Sequence, residues 1–170
     1  MKRNILLPVL LLVLALAGCS KKADDPTPTT PALSAKATLL TTPKWRITAI
    51  AGATTFAGQT TTNDAYAGLA SCRRDDFSKF NADLSVVKDE GATRCSSTDP
   101  QTKAGTWAFN AAETQLTVVD SSLPVGTLGQ NITADLVQLS STTLVVRTST
   151  SQTVGGYTIV TTLTTTYVAF

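Results

Sequence analysis

The end of the chain carries its clearest pattern. From Tyr157 to Phe170, one face holds Tyr157, Ile159, Thr161, Leu163, Thr165 and Tyr167, and the other holds Thr158, Val160, Thr162, Thr164, Thr166 and Val168. Successive side chains of a strand point to opposite sides of the sheet. This alternation therefore predicts a strand with its larger apolar groups inward and its threonine-rich face toward water. Gly155-Gly156 stands before it and 143–150 before that, which predicts a hairpin around residues 151–156. Further strands are expected at 44–51, 84–89, 105–109, 115–119 and 132–139, and one short helix at 66–74. Turn signals recur between them: Asn63-Asp64, Asn81-Ala82-Asp83, Asp89-Glu90-Gly91, Asp99-Pro100, Asn110-Ala111, Pro124-Val125-Gly126 and Gly155-Gly156. Short strands at that spacing predict an all-β barrel or sandwich. The abundance of threonine, stiff at its first torsion and suited to a pleated surface, agrees.

The N-terminus follows another logic. Lys2 and Arg3 are followed by an apolar run from Ile5 to Leu16, broken only by Pro8, and then by Leu16-Ala17-Gly18-Cys19. The run is short for a membrane span, which needs about 20 residues. Charge, apolar run and small-residue cut site in that order are a secretory leader. Read residue for residue, Leu16 to Cys19 resembles the lipobox of bacterial lipoproteins. The resemblance implies a signal peptide over 1–18, diacylglycerol on the Cys19 thiol, palmitate-type acylation and a membrane anchor in the cell envelope. The outer membrane is the expected location. Two or three acyl chains hold stably where one does not.

Residues 19–37 read as a tether. Pro26, Pro28 and Pro31 with threonines between them favour extended, solvated backbone. Fully extended, the stretch from residue 20 would reach about 55 Å. Lys21-Lys22-Ala23-Asp24-Asp25 weakly resembles surface-export signals of Bacteroidetes lipoproteins. The rest, 38–170, has the size of one domain. Loss of Lys2 and Arg3 with the leader takes the 14 basic side chains to 12, against 12 acidic ones. The net charge is then zero, and no Lys/Arg run remains to track phosphates, so nucleic acid is not an expected partner.

With Cys19 committed to lipid, Cys72 and Cys95 remain. An even pair in an exported chain reads as a disulfide. A metal pair and a redox pair are the rivals. The first would need further ligands in a chain with no histidine, and the second is usually spaced Cys-x-x-Cys. Around the pair stand Cys72-Arg73-Arg74-Asp75-Asp76-Phe77, Gly91-Ala92-Thr93-Arg94-Cys95 and Gly105-Thr106-Trp107, with Pro43-Lys44-Trp45 upstream. Together these elements resemble the lipocalin-like domain of Bacteroidetes lipoproteins. In that family a tryptophan opens the first strand and a Cys-x-x-Asp-Asp element precedes a phenylalanine strand. A cysteine after a glycine and a Gly-x-Trp strand follow. The resemblance covers about residues 39–120 by motif and implies a small antiparallel β-barrel of about eight strands.

Trp45, Trp107, Phe109, Tyr157, Ile159 and Leu163 are the candidates for core or pocket wall, the first three as the largest apolar groups on predicted strands and the last three from the inward face of the final strand. Asp75 and Asp76 beside Arg73 and Arg74 suit helix capping and local pairing. Calcium would need more oxygen ligands at alternate positions, and no metal or other cofactor is expected. The chain lacks the commonest general base, and no nucleophile elbow, phosphate loop or zinc spacing occurs, so an enzyme is not expected. Asn131-Ile132-Thr133 fits a glycosylation acceptor by chance. Two functions remain. One is a lipid-anchored binding protein for a small apolar or amphipathic ligand. The other is a structural or protein-interaction module of the envelope with a packed interior. An integral membrane barrel, suggested by the terminal Phe170, is disfavoured by the short strands and threonine-rich outer faces.

Overall fold

The computed structural model describes residues 32–121 and 130–170. Over these residues the chain forms a short helix, α1 (Ala35–Thr41), and nine strands. They are β1 (Lys44–Phe56), β2 (Gln59–Asp64), β3 (Phe77–Phe80), β4 (Ser85–Asp89), β5 (Thr102–Phe109), β6 (Gln115–Asp120), β7 (Asn131–Leu139), β8 (Thr143–Val154) and β9 (Tyr157–Ala169). The fold is an antiparallel β-barrel, as the resemblance implied and as one of the two architectures that the strand spacing allowed. Strands β3 to β9 pair in chain order, β1 pairs with β3 over Lys44 to Arg46, and β9 returns to pair with β1. Eight staves thus close the ring. β2 lies outside it as the hairpin partner of the far half of β1.

One end of the barrel is plugged. Ser34 caps α1, its hydroxyl accepting from the Ala37 N–H. The helix places Ala37 and Leu40 over the core formed by Trp45, Phe80, Val86, Trp107, Leu116 and Leu144. Trp45 and Leu40 are wholly buried. The Trp45 indole N–H donates to the Leu40 carbonyl at 2.8 Å, so the core satisfies its polar edge. The Trp107 indole does the same to the Asn81 carbonyl at 3.0 Å. Lys79 gathers the last carbonyls of the helix end, those of Thr41 and Thr42, and Lys36 donates to the Glu113 carbonyl. The rings of Phe80 and Phe109 meet Trp107 edge to face.

At the other end the staves are unequal. β3 to β7 stop, while β8, β9, β1 and the added β2 run on as a four-stranded sheet. Beyond Arg147, β8 pairs with β9 alone among the described residues. A bulge at Thr48 inserts one extra residue into β1. It keeps Trp45 and Ile47 inward near the plug and turns Ile50, Gly52, Thr54 and Phe56 inward farther on, opposite Thr165, Leu163, Thr161 and Ile159. The tips are two-residue turns, with Gly155 at φ 58° and Gly156 at φ 83°, a region only glycine enters freely.

Several sequence expectations are corrected here. The tether over 19–37 ends earlier, because residues 35–37 belong to α1 and the compact unit begins at Ala32. The small residues that read as spacer are helix formers once Ser34 caps them. The helix expected at 66–74 is a turn followed by a single 3₁₀ turn, Ser71–Arg73. The Asp64 carboxylate accepts from the Tyr66 and Ala67 N–H groups and diverts the backbone from a helix. The β8–β9 turn is shorter than residues 151–156, since the strands pair out to Val154 and Tyr157. The leader 1–18, Cys19 and the turn at Pro124-Val125-Gly126 lie outside the described residues.

Candidate ligand-binding mouth

Alternation along each stave decides what the open end presents. Phe80 and Val86 face inward near the plug, so Ser78 and Lys88, two residues farther along β3 and β4, also face inward. Leu116 is buried, and Val118 and Asp120 follow it on the same face of β6. The barrel interior therefore changes character along its axis, from aromatic and aliphatic packing to a mixed, accessible mouth.

Two adjoining cavities make up that mouth. One, of about 250 Å³, is walled mainly by apolar groups: Leu116, Val118, Ile132, Ala134, Val146 and Leu163. The other, of about 350 Å³, lies beside β3 to β5 and carries Arg73, Asp76, Lys88, Glu90 and Lys103 on its walls. Ser78, Lys88 and Tyr167 line both. Lys88 forms an ion pair with Asp120 at 3.4 Å. Burial pushes the Tyr167 hydroxyl above the usual phenol range, so it stays a neutral donor at physiological pH.

The outer wall of the polar side is built by two loops, 70–76 and 90–101. The disulfide Cys72–Cys95 joins them, with an S–S distance of 2.00 Å. Beside it, one Asp75 carboxylate oxygen accepts from the N–H groups of Ala92 and Thr93, each at 2.8 Å. Burial alone would raise the Asp75 pKa. The Thr93 and Ala92 donations together outweigh it and hold this carboxyl below the ordinary aspartate range. Gly91 sits at φ 66° with the Asp75 backbone where a side chain would stand. Arg74 donates to the carbonyls of Leu69 and Ala67 and lies over the Tyr66 ring. Asp76 behaves differently from its neighbour. Desolvation, followed by the charges of Glu90 and Asp75, pushes its pKa up despite Arg73. One oxygen each of Asp75, Asp76 and Glu90 is buried without a hydrogen-bond partner.

The residues singled out from sequence divide among three places. Trp45 and Trp107 are core, with Trp45 also reaching the polar cavity. Phe109 is half-buried against Trp107 near the plug. Leu163 lines the apolar cavity and is 41% exposed. Ile159 and Tyr157 are on the same face but beyond the barrel, where Tyr157 is 55% exposed and packs against Phe56 at the hairpin tips. Inward on a strand thus does not mean buried, because no opposite wall stands across from this part of β9. Lys88, Glu90, Lys103 and Asp120 were not singled out. The signal for Lys88 was its place two residues from Val86 in an alternating strand.

No family model matches the chain, and no curated protein matches it. Among solved structures it is similar to the crystal structure of a lipocalin-like protein from Bacteroides uniformis, at 14% identity and a TM-score of 0.39, over 78% of this chain and 99% of that one.

Proposed function

We propose that this chain is an exported, lipid-anchored binding protein of the bacterial cell envelope, whose barrel mouth takes a small amphipathic ligand without performing chemistry on it. The observation that carries the reading is the mouth itself, an apolar cavity beside a polar one at the open end of a barrel plugged at the other. Sites for small molecules are concave, largely apolar and fitted with a few polar groups, and the mouths of β-barrels are a usual place for them. The leader and Cys19 support the anchor. The lack of any histidine supports a binding role over catalysis.

The test uses the mature chain carrying Cys19→Ser, with its disulfide formed and no lipid attached. Titration with decanol, followed by methyl NMR, should give saturable shifts confined to Leu116, Val118, Ile132, Val146 and Leu163. Absence of saturable binding, or shifts spread over the outer faces, would contradict it. The anchor is tested separately, by loss of palmitate incorporation in Cys19→Ala.

A second reading rests on the hairpin tips. Phe56, Val154 and Tyr157 are 47%, 57% and 55% exposed, and exposed apolar groups gathered at one place suit a protein partner in the envelope. Abolished partner capture on Tyr157→Ser with unchanged decanol binding would favour it.

A further inference from the structure

The polar cavity has an imbalance that points to the ligand's headgroup. Its walls carry four acidic side chains, Asp76, Asp89, Glu90 and Asp120, and three basic ones, Arg73, Lys88 and Lys103. Two of the acids already have donors. Asp120 pairs with Lys88, and Asp89 accepts from the Gly91 N–H at 2.9 Å and the Gln101 amide at 2.7 Å. The other two, Asp76 and Glu90, each keep an oxygen that is out of water and unpartnered. Neither Lys88 nor Lys103 has a buried nitrogen lacking a partner. What stays unsatisfied inside the wall of this cavity is therefore these two carboxylate oxygens. A buried carboxylate oxygen without a donor is costly to hold, and a cationic N–H group relieves it best.

We propose that the mouth selects a cationic amphiphile, with a protonated amine lodged between Asp76 and Glu90 and its apolar body lying along Leu116, Val118, Ile132 and Leu163. This rests on the mouth being a ligand site, as argued above. The two halves fit such a molecule because the cavities adjoin, with Ser78, Lys88 and Tyr167 lining both. An anionic headgroup would meet Arg73, Lys88 and Lys103, but it would leave the buried oxygens of Asp76 and Glu90 without a donor. The raised Asp76 pKa agrees, since a nearby cation would favour the charged form that desolvation and Glu90 now disfavour.

The experiment compares decylammonium, decanol and decanoate on the mature Cys19→Ser chain by calorimetric titration at neutral pH. Decylammonium should bind about tenfold more tightly than decanol, the scale of one charge-assisted hydrogen bond, with decanoate weakest. Asp76→Asn and Glu90→Gln should each remove most of that preference, bringing decylammonium affinity down to that of decanol, while a cooperative thermal melt shows that each variant folds. Decanoate binding best, three equal affinities, or a preference that survives both substitutions would overturn the cation assignment while the mouth stands. Failure of all three probes to bind the unsubstituted protein would overturn the mouth and the headgroup together.

Discussion

The two ends of the barrel are made from the same kind of strand and meet opposite fates. At the plugged end, α1 closes over Trp45, Phe80, Trp107 and Leu144, and the two indole N–H groups find carbonyls. At the open end, side chains on the same inward faces stay accessible, as at Leu163, or leave the barrel entirely, as at Phe56 and Tyr157. The parts of the strands that project beyond the charged mouth carry no charge themselves. From Ile47 to Asn63 and from Thr148 to Phe170 there is no Asp, Glu, Lys or Arg, so the projecting sheet is held by ladder hydrogen bonds and threonine packing. The difference teaches that alternation sets which way a side chain points. What stands across from it sets whether it is buried.

Substitution should separate the ends. Trp45→Ala empties a fully buried site and removes the contact with Leu40, so a loss of about 3–5 kcal/mol is expected in denaturant melts. Tyr157→Ala, an aromatic truncation at the open end, should stay within about 0.5 kcal/mol. Comparable losses at the two positions would erase the comparison. The disulfide comes next. Replacing both Cys72 and Cys95 by Ala should cost about 3–4 kcal/mol, chiefly by freeing the unfolded chain over a separation of 23 residues. Because the bond also ties the walls of the polar cavity, hydrogen exchange should rise at 90–101 and not in α1.

A smaller effect is expected at Leu163. The alternation in sequence turns Leu163 inward, as a candidate for core or pocket wall. With the side chain 41% exposed at the mouth, Leu163→Asp should cost no more than about 1–2 kcal/mol, whereas Leu144→Asp at the plugged end should unfold the protein. Equal melts for the two variants would place Leu163 in the core after all. The smallest effect concerns Asp76. Its folded pKa lies above the ordinary value near 3.8, so the native state binds the proton more tightly than the unfolded chain. Stability from this group is therefore present at low pH and lost as pH rises through the raised value. Asp76→Asn should raise neutral-pH stability by under about 1 kcal/mol, since water reaches much of the group, with the gain shrinking toward acid pH. A gain that grows on acidification would contradict the raised pKa.

Much of the fold was legible in the chain because a two-residue period is a property of the strand backbone itself. The inward set of β9, the Gly155-Gly156 turn and the pairing of Cys72 with Cys95 all follow from local chemistry. β2 was not legible, because Gln59 to Asp64 carries no apolar side chain to mark a face and pairs only as a continuation of the Ala57-Gly58 turn. Nor was α1, whose stability comes from Leu40 docking on Trp45 and not from its seven residues alone. The bulge at Thr48 leaves no mark in composition. The mouth was half legible. Leu163 was identified, but Lys88, Glu90, Lys103 and Asp120 read as ordinary surface charges until the staves brought them to one wall.

The central claim is that the barrel is packed at one end and open at the other, and one substitution tests it most directly. Ala134 is buried, and it lines the apolar cavity of about 250 Å³. Ala134→Trp puts an indole into that space. If the mouth is open, the variant should fold, melt within about 1–2 kcal/mol of the parent as the new side chain occupies existing room, and lose decanol binding. If the interior is filled, the same indole has nowhere to go, and the domain should unfold or lose several kcal/mol by overpacking. Unfolding, or a folded variant that still binds decanol at the parent's affinity, would contradict the open mouth.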